Sequence, residues 1–199
     1  MLIFCANFGV LCNNRFFLLL TNFKCVTIFS GSEIMERELR ECYNENSQPT
    51  GETYYKGDKL PEGRYAMQVI ISIQNSNGDF LMQKRVPRKG GNWGVTGGHP
   101  KAGETPIQGA ITEVKEELGL DITEDQLTVF SEGFDGTVCY KMYYLKMDFD
   151  AEKLDIQKEE LSEAKWFSIQ TLQSMVDSGE MDENQIACFV KCMRFLENK

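Results

Sequence analysis

The chain has little histidine, little aromatic nitrogen and few cations. His99 is its single histidine, and Trp93 and Trp166 are its two tryptophans. One histidine excludes a multi-histidine metal shell, and a Cys/His zinc centre has nothing to build on. Any Ser-His or Cys-His nucleophile would have to use His99. The seven cysteines include no CxxC and no zinc-type spacing. They read as reduced, partly buried residues of a cytoplasmic protein. Lysine and arginine total 21 against 30 aspartates and glutamates, a net charge of −9. That excludes the basic footprint of a protein that holds nucleic acid polymers. A small phosphorylated substrate stays open, because a local site overrides the global field. No repeat or low-complexity tract is visible, and 199 residues suffice for one α/β domain with a sizeable core.

Residues 1–34 differ from the rest. They hold three of the seven cysteines and six of the thirteen phenylalanines, with Arg15, Lys24 and Glu33 as their charges. Arg15 and Lys24 divide the stretch into pieces shorter than the ~18–20 apolar residues of a membrane span. It has no basic start and no small-residue cleavage site, so it does not read as a secretory signal. An extra strand or interfacial anchor is one reading of it. The expectation adopted is that the natural start is Met35, with the domain proper over 35–199.

What is abundant is glutamate at fixed offsets. Residues 97–120 read GGHPKAGETPIQGAITEVKEELGL. Thr105 suits an N-cap, Pro106 a first helical turn and Gly119 a stop, so the spacing predicts a helix over 106–118. At ~100° per residue, Ile107, Ala110, Ile111, Val114 and Leu118 form one apolar stripe. Glu113, Glu116 and Glu117 share a flank of it. Carboxylates this close repel one another, so something positive is expected among them. Hard oxygen donors suit Mg²⁺, or Mn²⁺ as a substitute. A solvated acidic face is the plainer alternative.

Gly98, Glu104, Glu113, Val114, Glu116, Glu117, Gly119 and Leu120 stand in register with the signature of Nudix hydrolases, which the stretch resembles. One position departs. Thr112 stands where the family has an arginine that orients the glutamates through a salt bridge. The departure bears on catalytic efficiency more than on fold or metal binding. Lys101 and Lys115 are the candidates for a substitute charge.

Around this stretch, Met67–Gln74 and Phe80–Arg85 read as a hairpin with a type I′ turn at Asn77-Gly78. Trp93–Val95 reads as a short strand entering a glycine turn at Gly97-Gly98. Residues 127–134 and 138–149 read as two longer strands joined at Asp135-Gly136, and 164–167 as a short one. Helices follow over 169–176 and from an Asp182 cap to about Leu196. Residues 35–63 read as a polar, turn-rich lead-in. The order resembles the Nudix α/β/α sandwich with a mixed β-sheet. Tyr43, Asn46 and Pro49-Thr50-Gly51, with Leu81 and Gln83-Lys84-Arg85, resemble the isopentenyl-diphosphate isomerase-like subset.

The resemblance implies a Mg²⁺-dependent hydrolase of a diphosphate linkage in a nucleoside diphosphate-type or related small substrate. It makes Glu116 and Glu117 metal ligands, Glu113 a ligand or the base, and Glu104 a supporting residue. The Gly98 carbonyl is a further candidate ligand, since glycine lets the main chain approach. A later-loop carboxylate is expected among Glu159, Glu160 and Glu163, with Glu160 preferred. Lys84 and Arg85 either grip phosphate or are a solvated strand end. Trp93 either stacks on a ring of the substrate or anchors its loop. His99 lies beside the turn with no chemical role assigned. No membrane partner is expected, and a homodimer is. Two other functions compete. An isopentenyl-diphosphate isomerase would need a cysteine and several histidines where Val95–Pro100 offers His99 alone. A non-catalytic diphosphate-binding module is raised by Thr112.

Overall fold

The computed structural model describes residues 16–21, 24–29, 37–178, 180–181 and 183–198. The chain falls into two compact units, Met1–Glu38 and Leu39–Lys199. The first contains an antiparallel pair, β1 (Phe16–Thr21) and β2 (Lys24–Phe29), in register from Phe16↔Phe29 to Thr21↔Lys24. Met35, the expected start, and Asp182, the expected cap, lie outside the described residues.

The second unit opens with a hairpin of β3 (Leu39–Tyr43) and β4 (Pro49–Tyr55). The polar, turn-rich lead-in expected here contains strands as well as turns. Its polarity concealed a strand pair. Asn44 closes the turn by accepting the Asn46 and Gln48 amides at 3.0 Å, with Ser47 left-handed at φ 58.

The main sheet has β5 (Met67–Gln74) and β10 (Cys139–Lys146) paired in parallel at its centre. Antiparallel β9 (Leu127–Phe134) flanks β10, and β6 (Phe80–Arg85) carries β11 (Leu161–Phe167) at the other edge. The turn between β5 and β6 is not type I′. Only Gly78 is left-handed, at φ 89, and the Asn75 side chain accepts the Asn77 and Asp79 amides. The asparagine thus closes a longer turn from outside the Asn-Gly pair.

β5 and β6 touch only at Gln74↔Phe80 and then part. The gap admits β7 (Trp93–Gly94), paired to β6, and β8 (Thr96–Gly98), paired to β5. Gly97 and Gly98 are therefore strand residues rather than a turn. A Cβ on Gly97 would lie 2.5 Å from the Val69 carbonyl, which explains the glycine by close strand approach.

One helix covers one face. α1 (Pro106–Leu118) has the expected bounds, with a capping box between Thr105 and Gln108 and Gly119 closing it at φ 71. Ala110, Val114 and Leu118 are fully buried against Val69, Ile71, Ile73, Tyr143 and Leu145. Burial of each Val or Leu contributes roughly 1.5–3 kcal/mol. α2 (Ile169–Asp177) and α3 (Glu183–Glu197) supply the other core, where Leu172, Met175, Phe189 and Cys192 pack on Phe80, Met82 and Tyr144. The expected mixed-sheet sandwich is the observed fold, and no helix among the described residues is long and apolar enough to cross a membrane.

Candidate functional site

The parting of β5 and β6 opens a cleft whose lining includes Gln83, Arg85, Trp93, Thr96, Gly97, Glu117 and Gln185. A larger open groove of ≈ 610 Å³ lies along Asp150–Ile156 and Glu163–Trp166. It holds none of the signature carboxylates, whereas Glu117 lines the smaller cleft.

Glu117 lies at the cleft floor, 5% exposed. The Gln83 amide donates to its Oε2 at 2.8 Å and the Gly97 amide at 3.3 Å. Thr96 donates in turn to Gln83 Oε1 at 3.1 Å. Gln83 and Thr96 are themselves buried, so each polar atom of this series is satisfied inside the protein. Burial pushes the Glu117 carboxyl up to about 7, aided by the fields of Glu113 and Glu160 and opposed by the Gln83 and Gly97 hydrogen bonds. A buried carboxylate in this state is stabilised by a positive partner.

Glu113 accepts the His99 amide at 3.0 Å. Its carboxylate lies against Gly98, where a Cβ would come within 2.0 Å of Oε1. The loop that presents His99 is held to the helix because Pro100 packs on Gly109, where a Cβ would clash at 2.6 Å. Glu116 is exposed and paired with the Lys101 ammonium. Lys115 pairs with Asp121 at 2.8 Å instead, so of the two candidate cations Lys101 is the one that reaches a signature glutamate.

Glu104 bridges the loop. Its Oε2 accepts the Lys101 amide at 2.8 Å, and its Oε1 accepts the Thr112 hydroxyl at 2.8 Å. The residue that replaces the arginine therefore still holds a signature glutamate, through a neutral hydrogen bond. Among the described residues, no three Asp, Glu, His or Cys side chains converge as a single metal shell. Glu113 and Glu117 are neighbours, and Glu116 is turned to Lys101.

Glu160 lies in the turn before β11, near enough to Glu117 to act on its charge. The backbone sets this position, because the Gln157 amide donates to the Glu117 carbonyl at 3.0 Å. Lys89 Nζ is 2.5 Å from Glu160 Oε1 and Arg85 is 3.8 Å from Oε2. Burial works against the Glu160 charge, yet Lys89, Lys56 and Arg85 together hold its carboxyl below the usual range. Trp93 packs edge-on against Phe167 at 4.9 Å, with Lys84 Nζ 5.6 Å from the centre of its ring. It therefore anchors its loop while also lining the cleft.

Thr96, Lys89 and Gln185 have no site role in the sequence reading, and Gln83 enters it only as part of an outer motif. Gln185 reaches the cleft from α3 and accepts the Val95 amide at 3.0 Å. Only burial and distance reveal these residues, since amides and hydroxyls carry no spacing signal of their own.

Comparison with known proteins agrees with this geometry. A family model described as the NUDIX domain matches residues 64–187. An uncharacterised Nudix hydrolase of Listeria monocytogenes is 34% identical over 146 residues, 69% of this chain and 83% of that protein. A NAD-capped RNA hydrolase of Vibrio atlanticus is 30% identical over 111 residues, 56% of this chain and 40% of that one. A crystal structure from Deinococcus radiodurans superposes with a TM-score of 0.63 at 21% identity, covering 78% of this chain and 98% of that one. With the signature in register, the sandwich in place and the family match spanning more than half its length, the chain belongs to the Nudix family and is a Nudix-type diphosphate hydrolase.

Proposed function

We propose that the chain is a Mg²⁺-dependent hydrolase of a diphosphate linkage in a nucleoside diphosphate-type substrate, with Mn²⁺ as a substitute, acting in the cytoplasm. The observation that carries this reading is Glu117, a buried carboxylate at a cleft floor, fixed by Gln83 and Gly97 and in the field of Glu113. The similarity to a NAD-capped RNA hydrolase supports a nucleotide-linked substrate.

The donor set fits a hard cation. Glu113 and Glu117, on adjacent turns of one rigid helix, offer oxygen alone, as does the Gly98 carbonyl, and Glu116 would join them on leaving the Lys101 ammonium. A bound divalent ion would neutralise phosphate charge and acidify a water. The chain's own residues do the remaining work. Gln83 and Gly97 fix the orientation of Glu117. Glu104, held by Thr112, ties down the loop whose His99 amide holds Glu113. Glu113 or Glu160 is positioned to take a proton from water, and Arg85 and Trp93 stand along the wall that receives the substrate, with Lys84 beside the Trp93 ring. The four described cysteines are buried thiols, consistent with a reducing compartment.

The test is a panel of nucleoside diphosphate-linked compounds assayed with Mg²⁺ and Mn²⁺. Phosphate-bearing products that depend on metal are the expected result. Absence of cleavage across the panel with either ion would overturn the reading.

A further inference from the structure

A protein of net charge −9 repels a diphosphate unless cations are gathered where it must dock. The structure gathers them at one edge of the cleft. Arg85 ends β6 and lines the cleft together with Glu117. Immediately after it, Pro87–Lys89 form a 3-10 turn, and Gly90 and Gly91, at φ 103 and 68, fold the chain back toward β7. These left-handed glycines bring Lys89 alongside Arg85.

Both cations meet the same carboxylate. Lys89 Nζ lies 2.5 Å from Glu160 Oε1, and Arg85 lies 3.8 Å from Glu160 Oε2. Lys56, in the turn after β4, adds its field to the same group. Backbone contacts fix the arrangement. The Val86 amide donates to the Glu160 carbonyl at 2.9 Å, and the Arg88 guanidinium donates to the Glu159 carbonyl. The pairs Lys115–Asp121 and Lys153–Asp150 are ordinary exposed contacts. Here the two oxygens of one half-buried carboxylate are divided between two cations beside a catalytic cleft. Two oxygens of a phosphate group would meet the same pair in the same way.

We propose that Lys89 and Arg85 are the grip for a substrate phosphate, and that Glu160 holds both cations in place until the diphosphate displaces it. The inference rests on the reading of the chain as a diphosphate hydrolase. A phosphate carrying more than one negative charge attracts the two cations more strongly than one carboxylate does. Its arrival then leaves the Glu160 carboxylate free beside Glu117.

The probe is imidodiphosphate, whose bridging nitrogen resists cleavage. Its dissociation constant is read by calorimetry, beside steady-state kinetics on any compound that the wild type turns over. Lys89→Met is expected to raise both the dissociation constant and KM about tenfold, with kcat within about twofold. Lys89→Arg retains the charge and is expected to restore binding. Glu160→Gln is expected to tighten imidodiphosphate several-fold, whatever it does to turnover. Unchanged binding in Lys89→Met, or a loss confined to kcat, would overturn the grip. Weaker binding in Glu160→Gln would overturn the holding role. If the wild type cleaves no diphosphate yet Lys89→Met still weakens the probe, the hydrolase reading fails and the grip stands.

Discussion

The Thr112 hydroxyl donates to Glu104 Oε1 at 2.8 Å, and the other oxygen of Glu104 takes the Lys101 amide at the same distance. Where the family has an arginine, this chain has two separate contacts. Thr112 supplies the hydrogen bond, and the Lys101 ammonium supplies the charge, at Glu116. Removing the hydroxyl without changing the shape isolates the first contact. Thr112→Val is expected to lower kcat/KM several-fold, the equivalent of about 1 kcal/mol. Thr112→Ser keeps the donor and should stay near wild type. Thr112→Arg should preserve or raise activity. Equal activity in Val and Ser variants would show that the hydroxyl does nothing for the site.

Glu117→Gln separates charge from packing. The glutamine oxygen can still accept from Gln83 and Gly97, so the buried series through Thr96 survives. Mg²⁺-dependent turnover is expected to fall well over tenfold, roughly 1.4 kcal/mol or more of barrier. The thermal midpoint in EDTA should not fall, because a neutral side chain replaces a carboxylate whose charged form burial disfavours. Turnover equal to wild type would remove Glu117 from the site.

The same carboxyl sets a pH dependence. Its folded value of about 7 lies above the ordinary 4.5, so between these limits the folded protein binds more protons than the unfolded chain. The contribution is present below pH 4.5 and is lost as pH rises through 7. In EDTA, stability should therefore decline from pH 5 toward pH 8, by on the order of 3 kcal/mol from this group. Urea denaturation at both pH values reads the slope, and Glu117→Gln should flatten it. A slope of the same size in both proteins would assign it elsewhere.

How much of this was legible in the sequence varied with the kind of signal. α1 was found with its bounds because Thr105, Pro106 and Gly119 punctuate it and its apolar stripe recurs at helical period. β9 was likewise bounded by the Asp135-Gly136 turn. The β3–β4 hairpin was missed because β4 is polar and mostly exposed and β3 buries Arg40 with Cys42 and Tyr43, so no apolar alternation stands out in the sequence. Gly97 and Gly98 were read as a turn because sequence does not distinguish a glycine that bends the chain from one that admits a neighbouring strand. Among site residues, the signature glutamates were visible by spacing. Gln83 and Thr96 were not, since their importance lies in reaching Glu117 across three elements. Lys89 was hidden for the same reason, as its partner Glu160 is distant in sequence.

Gly97 and Gly98 are adjacent in β8 yet should fail in opposite ways. A Cβ at Gly97 meets backbone, 2.5 Å from the Val69 carbonyl and 3.2 Å from Ile70 Cα. Strand β5 cannot yield without disturbing its pairing to β10, so Gly97→Ala should destabilise the protein by about 1–3 kcal/mol. The atoms nearest a Cβ at Gly98 are those of the Glu113 carboxylate, with Oε1 at 2.0 Å. That side chain can swing away, so the fold survives while Glu113 leaves the His99 amide and its place beside Glu117. Gly98→Ala should keep a near-native melting curve and lose about tenfold or more in turnover. Thermal melts and steady-state kinetics on both variants read the contrast. A Gly98→Ala protein with full activity would show that the observed position of Glu113 is not the one that catalysis uses.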